Sequence, residues 1–288
     1  MAKSRRRVNE FSKTPSWMAS KWRDQVHLRP MSIPSFTTWI TGASSGIGEA
    51  TALALSSPGA HLVLVARRAD RLAGVAAACE AKGARVHQVL GDVREVNVLY
   101  TQLAALPAPF SEPDVLVNNA GLALGLDKAQ AASGDAWRTM IDTNVISVVE
   151  LTRLTLPGMV ARKRGHVVFI GSIAGHYPYP GGNMYGATKS FVEHFALNLR
   201  ADLLGTGVRV TNVAPGAVNT EFSTVRFAGD AARADAFYKD FEPMVASDVA
   251  ECVRWVVSLP AHVNVNTLEV MPTAQANGPF IYASNTVR

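Results

Sequence analysis

A tyrosine and a lysine four residues apart carry the clearest chemistry in this sequence. Tyr185 and Lys189 are the first and last residues of the run Tyr-Gly-Ala-Thr-Lys, and residues at i and i+4 share one face of a helix. A free tyrosine, with a pKa of about 10, is a poor base near neutral pH. A lysine charge about 5 Å away, at an effective dielectric constant near 20, would stabilise the phenolate by about 3 kcal/mol and lower its pKa by about two. Such pairs are usually structural when they stand alone, but this one predicts proton exchange with a hydroxyl or carbonyl oxygen.

A serine precedes this pair by thirteen residues. Ser172 lies in the run Gly-Ser-Ile-Ala-Gly, directly after an apolar, strand-like segment. The carboxyl ends of parallel strands form the edge at which such sheets bind ligands. We therefore expect the Ser172 hydroxyl to hydrogen-bond the reacting oxygen of a substrate.

Three glycines follow the first strand-like segment. Gly42, Gly46 and Gly48 stand in Thr-Gly-Ala-Ser-Ser-Gly-Ile-Gly, before an alanine-rich helical segment. Glycines let a backbone turn sharply and approach a pyrophosphate, whose charge then lies at the helix N-terminus. The spacing is not that of the G-x-G-x-x-G fingerprint. Two alternatives stay open: a purely structural turn, and a hydrolase nucleophile elbow centred on Ser44, which normally follows several strands rather than one.

Two arginines follow the second strand-like segment. An NAD-binding fold of this kind would place an acidic residue at the end of that strand, but Ala66 stands there, followed by Arg67 and Arg68. A carboxylate would repel a 2′-phosphate, whereas arginines pair with it through charge-assisted hydrogen bonds. The pattern favours NADP over NAD. The alternative is a pair of solvated arginines that begin a surface helix.

The positive charge of the chain is concentrated in a tail. The 288 residues are 48% hydrophobic and 18% charged with a net charge of +5, but residues 1–34 hold eight basic and two acidic side chains. The remaining residues sum to −1, which argues against nucleic acid as a partner. We expect residues 1–34 to be a basic, disordered extension that the chemistry does not use, and residues 35–288 to form the folded domain. The extension lacks the apolar stretch of a secretory signal.

Other classes of protein are disfavoured by composition. No apolar run approaches the roughly 18 residues of a membrane span, and no cluster of His, Cys and Asp has metal-ligand spacing. Two cysteines, Cys79 and Cys252, cannot make a disulfide framework, which favours a reducing, cytoplasmic setting.

Strand-like and helical segments alternate from Phe36 onward. This alternation predicts βαβ units with right-handed crossovers, hence an α/β fold with a doubly wound, parallel, seven-stranded, Rossmann-like sheet. One irregular stretch, Pro215–Pro243, suits a loop or small helical lid over a site. The predicted strands are Phe36–Thr41, His61–Ala66, Arg85–Leu90, Asp114–Asn118, His166–Gly171, Val208–Ala214 and Thr267–Met271. The predicted helices are Gly46–Ser57, Arg68–Lys82, Glu95–Leu106, Gly134–Arg162, Met184–Leu204 and Ser247–Leu259.

Taken together, these motifs resemble the short-chain dehydrogenase/reductases over about 250 residues. The matching positions are Thr41–Gly48, Asn118–Gly121, Asn144, Ser172, Tyr185, Lys189 and Pro215–Gly216. The resemblance implies a catalytic set in which Tyr185 is the acid/base, Ser172 polarises the substrate oxygen, Lys189 lowers the phenol pKa and holds a ribose, and Asn144 supports a water relay to Lys189. It also implies an NADP(H) site. The residues implied are Gly42, Ala43, Ser44, Ser45, Gly46, Ile47, Gly48, Arg67, Arg68, Asp92, Val93, Asn119, Ala120, Gly121, Tyr185, Lys189, Pro215, Gly216, Val218 and Thr220.

Several further stretches resemble one branch of that family, the NADP-dependent 3-hydroxy acid dehydrogenases. They include Ala120–Gly125, Met140–Asn144, Tyr179–Asn183, Glu221–Phe227 and Leu259–Asn264. The resemblance implies a homotetramer acting on serine, L-allo-threonine or malonic semialdehyde. Such a substrate would contact Ser172 and Tyr185, and its carboxylate would need a cation, for which Arg226 is the candidate; the alternative for Arg226 is a surface pair with Asp230. A general carbonyl reductase and a non-catalytic NADP sensor also remain open.

Overall fold

The computed structural model describes residues 36–278 and 282–283 and is built around parallel strands. In chain order the strands are β1 (Thr37–Thr41), β2 (His61–Ala66), β3 (Arg85–Leu90), β4 (Val115–Asn118), β5 (Gly165–Ile170), β6 (Val208–Pro215), β7 (Val218–Asn219), β8 (Met244–Val245) and β9 (Thr267–Val270). Seven of them form one sheet in the order β3-β2-β1-β4-β5-β6-β9, and β7 pairs with β8 separately. The predicted seven-stranded sheet is confirmed, with each boundary within one residue of its prediction.

The sheet is covered on both faces. Strands β1, β4, β5 and β6 are buried along their whole length, as strands between two helical layers must be. Alternate side chains serve the two layers: Trp39 packs in one apolar cluster with Val63, and Ile40 packs in the other with Leu64. This two-sided burial is what the continuous Val- and Leu-rich segments of the sequence indicate.

Nine α-helices connect the strands within the described residues. They are α1 (Gly46–Leu55), α2 (Ala69–Ala81), α3 (Val96–Ala104), α4 (Gly134–Ile141), α5 (Ser147–Ala161), α6 (Asn183–Asp202), α7 (Glu221–Arg226), α8 (Ala231–Tyr238) and α9 (Ala246–Ser258). The helical stretch predicted over Gly134–Arg162 is present to within one residue, but it contains a π-helical turn at Asp142–Ile146 between α4 and α5 that the sequence did not indicate. Hydropathy shows the helical period but not the extra residue that widens one turn.

The irregular stretch after β6 contains the short helices α7 and α8. The Tyr238 hydroxyl of α8 donates to the Val218 carbonyl (2.8 Å) and lies 2.6 Å from the Ser223 hydroxyl of α7. These bonds join the two helices to β7. The predicted basic extension, residues 1–34, lies outside the described residues.

The strand order brings the predicted motifs to one edge of the sheet. The chain runs outward from β1 to β3 and then resumes at β4 on the other side of β1, and ligands bind where such an order reverses. The turns after β1 to β6 all reach this edge and hold most of the predicted site residues, and the helices after β4 and β5 carry the others: Asn144, Tyr185 and Lys189. In the described part of the chain, no helix is long and apolar enough to cross a membrane.

Candidate active site

The glycine turn after β1 places backbone where a ligand can approach it. Gly42 and Gly46 have positive φ angles of 67° and 56°, a conformation that glycine adopts at little cost. A side chain at Gly48 would lie 2.3 Å from the Gly42 carbonyl oxygen, so only glycine fits. The Asn119 amide donates to the Thr41 carbonyl (2.8 Å), and the Thr41 hydroxyl accepts the backbone N–H of Asn119 (3.0 Å). The turns after β1 and β4 therefore hold each other in place.

Arg68 lies at the open end of this turn. Its guanidinium donates to the hydroxyls of Ser44 (3.2 Å) and Ser45 (2.6 Å) and to the Glu221 carboxylate (2.9 Å). Arg71 also donates to Glu221. The Arg71 and Arg68 guanidinium groups hold the pKa of the Glu221 carboxyl below its usual range. Arg68, at the N-cap of α2, and Arg71, in the first turn of that helix, thus contact Glu221 of α7.

Arg67 is more open to solvent and faces Asp92. The two side chains are 3.5 Å apart. The Arg94 guanidinium hydrogen-bonds Asp92 at 2.6 Å and is the main reason that the pKa of this carboxyl falls to about 2. Asp92 is therefore ionised at physiological pH and can accept hydrogen bonds from a sugar or base.

One cleft, of about 400 Å3, runs from these arginines to Tyr185. It is lined by every predicted cofactor residue except Ala43 and Gly48, which are buried behind the turn and support it. Thr220 reaches the turn, since a side-chain carbon on Gly46 would lie 3.4 Å from it. The cleft thus has a glycine turn with exposed backbone at one point and arginine side chains at another. This combination suits a dinucleotide that carries an additional phosphate.

Tyr185, Ser172 and Lys189 meet at the inner end of the cleft. Tyr185 and Lys189 are buried on one face of α6, and the Ser172 hydroxyl lies close enough to the Tyr185 phenol to lower its pKa. The Lys189 ammonium donates to the Ile170 carbonyl at 2.7 Å and lies 5.9 Å from the centre of the Tyr185 ring. The predicted convergence of the three side chains is therefore present.

The predicted electrostatics of this pair need correction. Burial raises the pKa of Tyr185 to about 12, and the Ser172 hydrogen bond and the Arg226 charge oppose that rise. Burial also lowers the pKa of Lys189 to about 8. The sequence spacing indicates that the two groups are close, but it carries no information on how much water they lose.

Asn144 occupies the π-helical turn and supports the site from behind. Its amide accepts from the Leu122 N–H (2.9 Å) and donates to the Leu122 carbonyl (2.8 Å) and to the Thr188 hydroxyl (3.1 Å). A side chain on Gly121 would lie 3.3 Å from Asn144 and 3.5 Å from the Lys189 ammonium. Asn144 therefore joins the turn after β4 to the helix that carries Tyr185 and Lys189.

Arg226 enters the cleft instead of pairing on the surface. Its guanidinium carbon lies 5.2 Å from the Tyr185 ring centre and 5.5 Å from that of Tyr179, whose hydroxyl it hydrogen-bonds. The alternative pairing with Asp230 is wrong, because the Asp230 carboxylate caps α8 by accepting from the Arg233 N–H at 2.9 Å. The Arg226 Nε is buried and has no hydrogen-bond partner.

Sequence reasoning missed several lining residues. Glu221, Tyr179, Phe222 and Tyr238 all line the cleft. The first three lie in stretches that carry the family resemblance but were given no role in the site, and Tyr238 lies in no such stretch. The hydrolase alternative fails at Ser44: its hydroxyl accepts from Arg68, and no histidine is among the described residues that line the cleft. Nor does any group of three or more His, Cys, Asp or Glu in the described ranges have an arrangement that could hold a metal ion.

Comparison with known proteins gives consistent matches. The family model for short chain dehydrogenase matches residues 37–230. The NADP-dependent 3-hydroxy acid dehydrogenase of Escherichia coli (strain K12) is 48% identical over 238 residues, which is 82% of this chain and 95% of that protein. Sulfoacetaldehyde reductase 2 of Chromohalobacter salexigens is 48% identical over 242 residues, 84% of this chain and 96% of that protein.

A solved structure agrees with both. The closed form of serine dehydrogenase complexed with NADP+ superposes with a TM-score of 0.77 at 47% identity, covering 83% of this chain and 96% of that one. Residues 37–230, which the family model matches, contain the glycine turn and the Ser172, Tyr185 and Lys189 positions described above. The chain belongs to the short-chain dehydrogenase family, whose members are oxidoreductases that act on CH–OH groups.

Proposed function

We propose that this protein is an NADP-dependent oxidoreductase that interconverts the 3-hydroxyl group of a small 3-hydroxy acid and the corresponding carbonyl. The observation that carries the proposal is the position of Arg226, a guanidinium held beside the Tyr185 ring at the inner end of the cleft. A carboxylate on the carbon next to the reacting one would lie within reach of that charge. Serine, allo-threonine and 3-hydroxypropionate are the substrates of this type.

NADP(H) would occupy the outer part of the cleft and supply or accept a hydride. The glycine turn, from Gly42 to Gly48, would face its pyrophosphate, and Arg67 and Arg68 its 2′-phosphate. Asp92 and Val93 would border the adenine, Asn119 the adenine ribose, and Thr220 the nicotinamide carboxamide. The relatives whose names or structures include NADP support this assignment.

The chain's own residues would manage the proton. Ser172 would hydrogen-bond the substrate oxygen, and Tyr185 would give a proton to a carbonyl or take one from a hydroxyl. Lys189, with its pKa lowered to about 8 by burial, would stabilise the phenolate, and Asn144 would order the path by which the proton returns. Burial raises the pKa of the Tyr185 phenol to about 12. The protonated phenol is therefore favoured, and this is the form that gives a proton to a carbonyl.

A second candidate substrate is a small sulfonate aldehyde. A guanidinium pairs with a sulfonate as well as with a carboxylate, and the similarity to sulfoacetaldehyde reductase 2 supports this alternative. A general carbonyl reductase would not need Arg226 in the cleft, and a non-catalytic NADP sensor would not need Ser172, Tyr185 and Lys189 together.

A cytoplasmic homotetramer is part of the same proposal and rests on the resemblance. Two apolar side chains of α6, Phe191 and Leu197, are each 42% exposed and would be covered by association between copies.

Steady-state kinetics test the proposal. With NADP+ or NADPH, kcat/KM is expected to be highest for 3-hydroxy acids or their aldehydes, and Arg226→Gln is expected to lower kcat/KM for these acids by about 10- to 100-fold, because charge-assisted hydrogen bonds contribute about 1.5–3 kcal/mol. Tyr185→Phe should abolish turnover while leaving NADPH binding intact.

Each alternative predicts a different result. If the wild type and Arg226→Gln both prefer uncharged alcohols, and to the same degree in kcat/KM, the result would favour the general carbonyl reductase. A wild type that binds NADPH but reduces no aldehyde in the panel, sulfoacetaldehyde included, would favour the sensor. Preference for sulfoacetaldehyde over malonic semialdehyde would select the second candidate.

A further inference from the structure

Arg226 contacts the proposed acid/base as well as the space for a substrate. Its guanidinium carbon lies 5.2 Å from the centre of the Tyr185 ring, a distance at which a cation interacts with an aromatic face. The Lys189 ammonium lies farther away, at 5.9 Å, and already donates to the Ile170 carbonyl. Arg226 is thus the nearer of the two cations to the ring.

The charge of Arg226 has no balancing carboxylate at this end of the cleft. The described lining residues include two acids, Asp92 and Glu221, and both pair with other arginines. The Arg226 Nε is buried without a hydrogen-bond partner, and the Nη2 donates to the Tyr179 hydroxyl, a neutral acceptor. An anion that enters the cleft would therefore meet an uncompensated charge.

Groups from five parts of the chain face the Tyr185 phenol. Besides Arg226 from α7 and Lys189 from α6, they are Ser172 after β5, Tyr179 before α6 and Tyr238 from α8. Ser172 and Arg226 lower the pKa of Tyr185, and the two tyrosines raise it. The substrate anion would be the only further charge to enter this set besides the cofactor.

We propose that the Arg226 guanidinium is shared between the carboxylate of the substrate and the phenol of Tyr185, so that the charge of the bound substrate governs how readily Tyr185 releases its proton. The inference rests on the proposed function and extends it. A bound carboxylate neutralises the guanidinium and keeps the phenol protonated. An uncharged substrate leaves the guanidinium free to stabilise the phenolate, which accepts the hydroxyl proton as the substrate carbon gives its hydride to NADP+.

A matched pair of substrates tests this in the complete enzyme. 3-Hydroxypropionate and 3-hydroxypropionamide have nearly the same size and differ in charge. The measurement is the single-turnover rate of NADP+ reduction as a function of pH, which separates hydride transfer from product release. Because oxidation requires the phenolate, the rate rises with pH through an inflection that reports Tyr185. We expect this inflection about one pH unit or more lower with the amide than with the acid.

Variants then assign the effect to Arg226. Arg226→Gln should raise the inflection for the amide to near that for the acid in the wild type. Arg233→Gln is the matched control, because this arginine lies over the Phe227 ring, 4.6 Å from its centre, and should leave the inflection unchanged. Tyr179→Phe removes the hydroxyl that Arg226 contacts and should give a smaller rise, which provides a second variant if Arg226→Gln does not turn over.

The outcomes separate this inference from the proposed function. Equal inflections for acid and amide in the wild type would overturn it, as would an unchanged amide inflection in Arg226→Gln. If Arg226→Gln raises KM for the acid but not for the amide while the inflections coincide, Arg226 binds the carboxylate and the coupling to Tyr185 is absent. If the amide inflection moves but KM for the acid does not, the coupling stands and the carboxylate assignment fails.

Discussion

Glu221 shows how one side chain can connect two parts of the cleft. Its carboxylate accepts from Arg68 and Arg71 at the start of α2, while Arg226, five residues later on the same helix, faces Tyr185. Exposed ion pairs usually contribute little to stability. We expect their effect to be on binding, because Glu221 would compete with a cofactor phosphate for Arg68.

Substitutions at Arg68 and Glu221 should therefore act in opposite directions on cofactor affinity. Arg68→Gln removes a charge-assisted contact and is expected to raise KM for NADP+ about 10- to 100-fold, with little change for NAD+. Glu221→Gln releases both arginines and is expected to lower KM for NADP+ a few-fold, more at low salt. Arg71→Gln serves as the comparison, with a smaller rise than Arg68→Gln. A lower affinity for NADP+ in Glu221→Gln would contradict this account.

Local spacing made some of these residues predictable and left others out of reach. The helical spacing of four residues identifies Tyr185 and Lys189, and the end of a strand identifies Ser172. The glycines of Gly42–Gly48 are recognisable because a sharp backbone turn requires glycine. Glu221 was missed, since its contact with Arg68 spans 153 residues. The wrong direction for the Tyr185 pKa has a similar origin, because Tyr185 is buried among residues distant in sequence, such as Met140 and Phe222, and no short motif encodes that packing.

The π-helical turn at Asp142–Ile146 is a helical feature that local sequence spacing also does not predict. Repeating hydropathy predicted one helix, and the structure inserts a wider turn that aims Asn144 into the interior. There it bonds both the N–H and the carbonyl of Leu122, groups that the turn after β4 leaves without strand partners. π-Helical turns of this kind are often found at functional sites.

Asn144→Ala should lower both stability and activity. Leu122 would lose both partners in a partly buried position, and each unsatisfied backbone group costs about 1–3 kcal/mol. We expect a drop of that order in the free energy of unfolding, measured in urea, together with a fall in kcat. Asn198→Ala, an exposed asparagine of α6, is the control and should change neither. Full stability in Asn144→Ala would show that the turn does not depend on these bonds.

Charge is distributed unevenly along the chain, and only a few of the charged side chains lie in the cleft. The excess of basic residues lies in 1–34, whereas the rest of the chain sums to −1. The cations that matter for the proposed chemistry are single side chains with defined neighbours: Arg68 beside Ser44 and Ser45, Lys189 beside Ile170, and Arg226 beside Tyr179. Net charge is therefore a poor guide to what this protein binds.

Removal of residues 1–34 should consequently leave the enzyme intact. Within the described residues, the contacts of the sheet begin at Phe36, whose carbonyl accepts the His61 N–H at 3.0 Å, and at Thr37, whose N–H donates to Asp114 at 3.1 Å. Every described residue that lines the cleft comes after residue 41. The 35–288 chain is expected to keep kcat and KM within about twofold, since surface changes away from a site rarely exceed 0.5 kcal/mol, and to show the same oligomeric state in sedimentation as the full chain. A large loss of activity with an unchanged sedimentation mass would place the tail at the active site, and dissociation to smaller species would place it at an interface between copies.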